Sequence, residues 1–283
     1  MPCELKHESV MTDRYLLGHS ETERRRLVAQ AELLAPMTRR FLTAAGIGPG
    51  MRVLDVGTGM GDVALLAAEL VGAEGTIVGI DNSASIVAAA SRRIESLGKS
   101  NINFVVSDPA ELAVERPFDA IIGRYVLMFL SEPAATLSAL RTKLKRDGVM
   151  AFHELDWAGA RSIPPAPTYE QCRKWALEAV RLGGADPQMG TRMYGVFVRA
   201  GLPPPTLRLE SITGGSEDPS GTVRTLCDTL FPEAFVSVLE RHGIASAATI
   251  AADTLPQRLA AEIAELGSVI VGRSEICAWT RCQ

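Results

Sequence analysis

The chain has 283 residues, 47% hydrophobic and 22% charged, with a formal net charge of −4. That length and mixture bury a substantial core without disulfides or structural metals, and the acidic balance argues against a nucleic-acid footprint. The apolar stretches Val63–Ala73 and Ala120–Leu130 are short and interrupted, so no membrane-spanning helix is expected. The N-terminus lacks the basic-then-apolar order of a secretory signal, which points to a cytoplasmic chain. Cys3, Cys172, Cys227, Cys277 and Cys282 are scattered and form no Cys-x-x-Cys pair. They read as free thiols, with no metal site.

Residues 1–13 are polar and patternless and read as a loose leader. Ser20 and Glu23 make a capping-box signature, and Leu27, Leu34, Met37 and Phe41 recur at helical spacing up to about Ala45. From Gly46 onward, strands alternate with helices. Strands are expected at Arg52–Val56, Thr76–Ile80, Asn103–Val106, Phe118–Ile122 and Val149–Leu155. The helices between them are Asp62–Leu70, Ser83–Leu97 and one from Pro133, well placed at a first turn, to about Lys145. Near-continuously apolar strands alternating with helices imply a parallel sheet covered on both faces.

After Trp157 the rhythm breaks. Ile163-Pro164-Pro165-Ala166-Pro167 reads as a stiff connector, followed by a helix over Thr168–Leu182 and a second ending at Ala200. A sixth strand is expected at Thr206–Ser211, mostly helix over 222–266, and a last strand at Glu275–Arg281. The fold class is therefore α/β, a doubly wound, mostly parallel seven-stranded sheet with a helical lid. The expected organisation is a leader and helix at 1–45, a ligand-binding core at 46–160, and lid insertions plus the last two strands at 161–283.

The strongest chemical signal is Asp55-Val56-Gly57-Thr58-Gly59-Met60-Gly61 at the first strand-to-helix turn. Glycines let the backbone turn sharply and approach a ligand without Cβ collisions, and the helix that follows presents free N–H groups. The spacing is Gly-x-Gly-x-Gly, not the Gly-x-Gly-x-x-Gly of a dinucleotide site, and an acid precedes it. A carboxylate at that turn suits an ammonium or sulfonium ligand better than a pyrophosphate. Asp81, followed by Asn82, ends strand two, where a carboxylate accepts from both ribose hydroxyls. The alternative for Asp81 is a helix cap. Asp108, before Pro109, follows strand three and is placed to accept from an adenine amino group; a cap is its alternative too.

Together these motifs resemble the class I S-adenosylmethionine-dependent methyltransferases, particularly the small-molecule group similar to the ubiquinone and menaquinone methyltransferases. The resemblance spans about Tyr15–Asp156. It implies S-adenosyl-L-methionine as cofactor and S-adenosyl-L-homocysteine as product. Carried over by motif, Gly57, Gly59 and Gly61 cradle the methionine part beside Asp55. Asp81 and Asn82 then hold the ribose, and Ser107, Asp108 and Pro109 line the adenine. Gly123 and Arg124, ending the fourth strand, pass behind the methionine, and Tyr15 and Gln30 reach it from the leader and first helix; the alternative for these two is a helix packed on the sheet edge with both residues in the interface.

For the chemistry, His153 and Glu154 stand at the carboxyl end of strand five, where acceptors sit in open α/β sheets, and are the candidate catalytic bases. They point to opposite sides of the strand. A packed core histidine is the alternative for His153, and His19 is an outside candidate. Tyr125, Met128, Trp157, Trp175 and Phe231 are available to line an acceptor pocket, although such residues are more often plain core. The expected function is methyl transfer to an oxygen or carbon nucleophile of a small, hydrophobic metabolite, quinone-like or secondary, with a homodimer left open. The alternatives are a protein of this fold that binds the cofactor without methylating, as a cyclisation catalyst or partner protein, and an NAD-dependent oxidoreductase, which the glycine spacing and Asp55 disfavour.

Overall fold

A computed structural model of the chain describes residues 21–216 and 233–282. Helix α1 (Glu21–Ala45) leads into β1 (Arg52–Val56), α2 (Asp62–Val71), β2 (Thr76–Asp81), α3 (Ala84–Ser96), β3 (Ile102–Val106) and β4 (Phe118–Arg124). Then come α4 (Pro133–Arg141), β5 (Leu144–Asp156), β6 (Arg161–Ile163), α5 (Pro167–Leu182), α6 (Met189–Arg199) and β7 (Thr206–Gly214). The chain continues through α7 (Glu233–Arg241), α8 (Ala247–Ile250) and α9 (Leu255–Leu266) to β8 (Val269–Cys282).

The sheet runs β3-β2-β1-β4-β5-β8-β6, with β7 paired to β8. Strands β1 to β5 are parallel, and β8 is antiparallel to β5, β6 and β7. Parallel strands joined by helices must have both faces covered, and the apolar residues sort accordingly. Val53, Ile77, Ala120, Ile122, Val149 and Ala151 face α2, α3 and the end of α1. Leu54, Ile80, Ile121, Met150 and Phe152 face the other way, into the larger core that the later helices share. The alternation is the period of two that a pleated strand imposes. At the β1–β4 pair the winding reverses, and open α/β sheets bind ligands outside the strand ends at that point.

Several boundaries differ from the sequence expectation, three of them by the most. The helix after Pro133 stops at Arg141, and β5 begins at Leu144, five residues before Val149. Phe118 already pairs with Leu144, and the register then shifts so that Ala120 pairs with Val149. The slack falls at Asp147, a non-glycine residue with φ 62°. The last strand starts at Val269 because neighbours on both sides supply ladder partners. An eighth strand, β6, precedes the proline-rich connector and shares only Ile163 with it. Its three residues are too few to carry a period, and only pairing with Val269–Val271 makes them a strand. The part of the 222–266 helix expectation before residue 233 lies outside the described residues, as does the leader.

Close packing between β1, β2 and β3 leaves no room at Gly79. A Cβ there would stand 2.5 Å from Phe104 Cδ1 and 2.7 Å from Thr58 Oγ1. Gly79→Ala is therefore expected to lower unfolding free energy by about 1–3 kcal/mol, the usual cost of overpacking a tight core. A shifted denaturant midpoint at constant slope checks it; an unmoved midpoint would mean that Phe104 swings aside freely.

Candidate functional site

Gly57, Gly59 and Gly61 have φ of 63°, 54° and 82°, a left-handed run that side chains disfavour. Two of them also lie against neighbours: a Cβ on Gly57 would approach Val126 Cγ2 to 2.6 Å, and one on Gly61 would approach Phe104 Cζ to 2.8 Å. Gly59 differs, since a Cβ there would meet nothing within 4 Å. Its backbone is the part of the turn that borders open space. Helix α2 starts at Gly61 without a side-chain cap, which leaves its first N–H groups for a ligand or water.

Asp81 closes the turn from the second strand. Its Oδ2 accepts from Gly59 N at 3.2 Å and its Oδ1 from Ser83 N at 3.0 Å. It is not the cap of α3; Ser83 holds that position and accepts from Ile86 N. An ionised carboxylate offers about four acceptor sites. Half-buried Asp81 therefore keeps capacity for hydroxyl donors beside the open space at Gly59. That arrangement fits the paired hydroxyls of a ribose.

Asp55 lies beneath the turn, 1% exposed, and accepts from Thr58 Oγ1 at 2.7 Å. Burial pushes its carboxyl up to about 7, against the Thr58 hydrogen bond and the nearby charge of Arg124. Asn82 and Asp108 are exposed, while Ser107 and Pro109 are half-buried. Asp108 Oδ1 accepts from Ala110 N at 2.8 Å, a local turn contact. Gly123 is packed so tightly that a Cβ would come within 2.6 Å of Phe152. Arg124, half-buried, donates to Thr38 Oγ1 on α1 at 3.0 Å. Gln30 is half-buried on α1; Tyr15, His19 and Phe231 lie outside the described residues. Met128 and Trp157 are buried in the larger core, with half-buried Tyr125 and Trp175 packed against it.

The two strand-end candidates face opposite sides of the sheet, as the alternation requires. His153 is 3% exposed and sits under α1, with its ring edge-on to Phe41. Its Nε2 lies 3.0 Å from Glu275 Oε2 and its Nδ1 3.4 Å from Thr38 Oγ1. Burial lowers its pKa, against the hydrogen bond and charge of Glu275, so the ring is neutral and donates from Nε2 to the carboxylate. Glu154, fully buried, accepts from Val126 N at 2.9 Å and Leu127 N at 2.7 Å. Burial raises its carboxyl to about 8, against those backbone donors.

Around His153 is a polar cluster that the sequence pattern did not reveal as a unit. Glu275 Oε2 also accepts from Tyr125 Oη at 2.6 Å, and its Oε1 accepts from Arg273 Nε at 2.9 Å. Arg273 Nη2 donates to the Tyr125 oxygen at 3.1 Å. Burial opposes ionisation of Glu275, but the Arg273 charge and the His153 and Tyr125 hydrogen bonds hold its carboxyl at about 2. Burial drives the Tyr125 phenol well above its usual range, so it stays protonated and donates. Tyr125 has φ 57°, an uncommon backbone state for a tyrosine, next to the strand end that borders the glycine turn. The hint in the sequence was Arg273-x-Glu275, two residues on one face of a strand; it was hidden because the strand was expected to begin at Glu275.

The two buried acids respond to pH with opposite signs. Glu275, depressed from 4.5 to about 2, contributes stability that is present above 4.5 and lost as pH falls toward 2. Glu275→Gln leaves Arg273 buried without a counter-charge, so about 3–5 kcal/mol of stability should be lost at neutral pH, and less in acid. For Glu154, raised from 4.5 to about 8, ionisation costs stability as pH rises through that window. Glu154→Gln should therefore gain on the parent chain between those limits. Denaturant titrations across the pH range check both slopes; flat differences would overturn the assignment of charge.

Among the described residues no group of three or more His, Cys, Asp or Glu is placed to hold a metal, and no helix is long and apolar enough to cross a membrane. Residues 47–201 match a family model described as a methyltransferase domain. The chain is similar to aklanonic acid methyltransferase DauC of Streptomyces sp. strain C5, 33% identical over 43% of this chain and 56% of that protein. It is also similar to nocamycin O-methyltransferase of Saccharothrix syringae, 28% identical over 75% of this chain and 68% of the relative. The first relative is thus matched over little more than half of its length. Among solved structures, YcgJ protein from Bacillus subtilis superposes with a TM-score of 0.53 at 16% identity, covering 87% of this chain and 98% of that one. Phosphoethanolamine N-methyltransferase 2 of Haemonchus contortus, solved with phosphomonomethylethanolamine and S-adenosylhomocysteine, gives 0.52 at 16% identity over 86% of this chain and 52% of that one. At such identities the structures speak to the fold alone. With the family model spanning more than half of the chain over the glycine turn and its strand-end acids, the protein belongs to the class I S-adenosylmethionine-dependent methyltransferases.

Proposed function

We propose that the protein transfers a methyl group from S-adenosylmethionine to an oxygen or carbon nucleophile of a small, hydrophobic metabolite. The observation that carries the reading is the Asp81 carboxylate, bonded to Gly59 N and Ser83 N and still half-exposed beside the open side of Gly59. Support for the substrate class comes from the two relatives, which are named for the small molecules aklanonic acid and nocamycin.

In this reading Asp81 and Asn82 take the ribose, and Asp108 and Pro109, with Ser107, border the adenine. Gly57, Gly59 and Gly61 bring backbone alongside the methionine part, with Asp55 supporting the turn through Thr58. Gly123 and Arg124 back the same end, and Tyr15 and Gln30 approach from the N-terminal side. The cofactor when bound supplies an already activated methyl on a sulfonium. The protein's tasks are then to align a nucleophile and exclude water, because alignment removes much of the entropic part of the barrier.

His153 and Glu154 act in this scheme as positioning residues. The basic Nδ1 of His153 is turned to Thr38, so its contribution is to hold α1 against the strand ends. Glu154 gathers the N–H groups of Val126 and Leu127 and so sets the loop that packs on Gly57. A phenol or an acidic carbon of an acceptor needs little more than alignment, since its proton is already labile.

Asp81→Ala should weaken S-adenosylhomocysteine binding by about 1–3 kcal/mol through lost charge-assisted hydrogen bonds, read by calorimetric titration of the folded variant. Unchanged affinity would remove Asp81 from the site. The parent chain should bind S-adenosylhomocysteine and not NAD, and should pass labelled methyl to phenols or acidic carbon acids. Binding with no transfer to any oxygen or carbon acceptor would favour a binding protein over an enzyme.

A further inference from the structure

Strand β7 is the outer strand on its side of the sheet and pairs with β8 alone among the described strands. An outer strand presents a row of unpaired backbone N–H and C=O groups, which proteins usually blunt with lysine, proline or very short length. β7 is nine residues long and contains neither lysine nor proline. Leu207 and Leu209, on one of its faces, are 43% and 57% exposed. On the opposite face Arg208 precedes Leu209 and Glu210 follows it, so opposite charges are spaced evenly about one residue.

That pattern is self-complementary under a two-fold axis. In an antiparallel pair of two β7 strands centred on Leu209, Arg208 of each copy faces Glu210 of the other, and the two Leu209 side chains meet. Centring on Arg208 would oppose two arginines, and centring on Glu210 two glutamates. A parallel in-register pair would stack like charges. The geometry of the strand selects the same centre. The ladder with β8 shifts register between Ser211 and Thr213, so the regular edge ends at Ser211, and Leu207–Ser211 is symmetric about Leu209. Glu210, its side chain 17% exposed, is held on its face by Arg40 of α1 and lies 3.4 Å from Arg208 Nε of its own strand, while the Arg208 side chain remains 44% exposed and is free to share itself with the carboxylate of a second copy.

We propose that the chain forms a two-fold dimer by antiparallel pairing of β7 with β7 of a second copy, centred on Leu209, which joins two sheets into one. Sedimentation velocity of the parent chain should give the dimer mass. Leu209→Cys should form a disulfide-linked pair on mild oxidation, because the two Leu209 positions are directly opposite. Leu207→Cys should not, because Leu207 faces Ser211; Leu207→Cys combined with Ser211→Cys should link again. The parent chain is the control for the native thiols, of which Cys172, Cys277 and Cys282 are buried. Arg208→Glu sets two glutamates opposite each other and should shift the chain to monomer without touching the core. A monomeric parent chain, equal linking by Leu207→Cys and Leu209→Cys, or an intact dimer in Arg208→Glu would each overturn the proposal. A monomer would make Arg208 and Glu210 guards of a free edge.

Discussion

Glu275 is a carboxylate removed from water, and such a charge is tolerated in a protein interior only when donors surround it. Arg273, His153 and Tyr125 supply them, from β8, β5 and the residue after β4. The requirement reaches further, because each donor is itself committed. Arg273 also donates to the Tyr125 oxygen, and the far nitrogen of His153 faces Thr38, which takes a hydrogen bond from Arg124. The outcome is a closed set of contacts joining α1, the end of β4, β5 and β8 at the rim where ligands of this fold bind. Removing any one donor leaves the buried Glu275 carboxylate with fewer hydrogen bonds, so the rim is coupled through that one group.

A second constraint acts on the neighbouring strand ends. The glycine turn follows a left-handed path, its bends packed on Val126 and Phe104, and only Gly59 fronts open space. Asp81 crosses from β2 to hold that backbone, and Asp55 supports it from below through Thr58. Val126 links the two regions, since its side chain lies against Gly57 while its N–H donates to Glu154. The glycine turn and the polar cluster are thereby supported by residues adjacent in sequence, Arg124 to Leu127. A tyrosine at φ 57° persists there because four neighbours fix its side chain: Glu275 and Arg273 at the hydroxyl, His153 and Arg124 at the ring.

How much of this was legible in the amino-acid sequence depends on the range of the interaction involved. The first five strands and the helices between them were readable because apolar periodicity is local, as was the glycine turn at Gly57, Gly59 and Gly61, whose left-handed path depends on a few adjacent residues. The start of β5 was not, because a register shift at Asp147 has no local signature. β6 was missed for a related reason: three residues become a strand only when Val269–Val271 arrive beside them. His153 was conspicuous as an ionisable residue at a strand end, but its partner Glu275 lies 122 residues away.

The sequence by itself determined the fold class, the winding of the parallel strands, the glycine turn and the acids at the strand ends. These depend on the chain's own period, on where a side chain is sterically forbidden, and on a turn a few residues long. Tertiary structure alone decided the state of each buried ionisable group. Glu275 and Glu154 are the same residue type, yet one is held near 2 and the other near 8. The difference is whether a buried guanidinium or only backbone dipoles stand beside the carboxyl, and that is fixed by which distant strands come together.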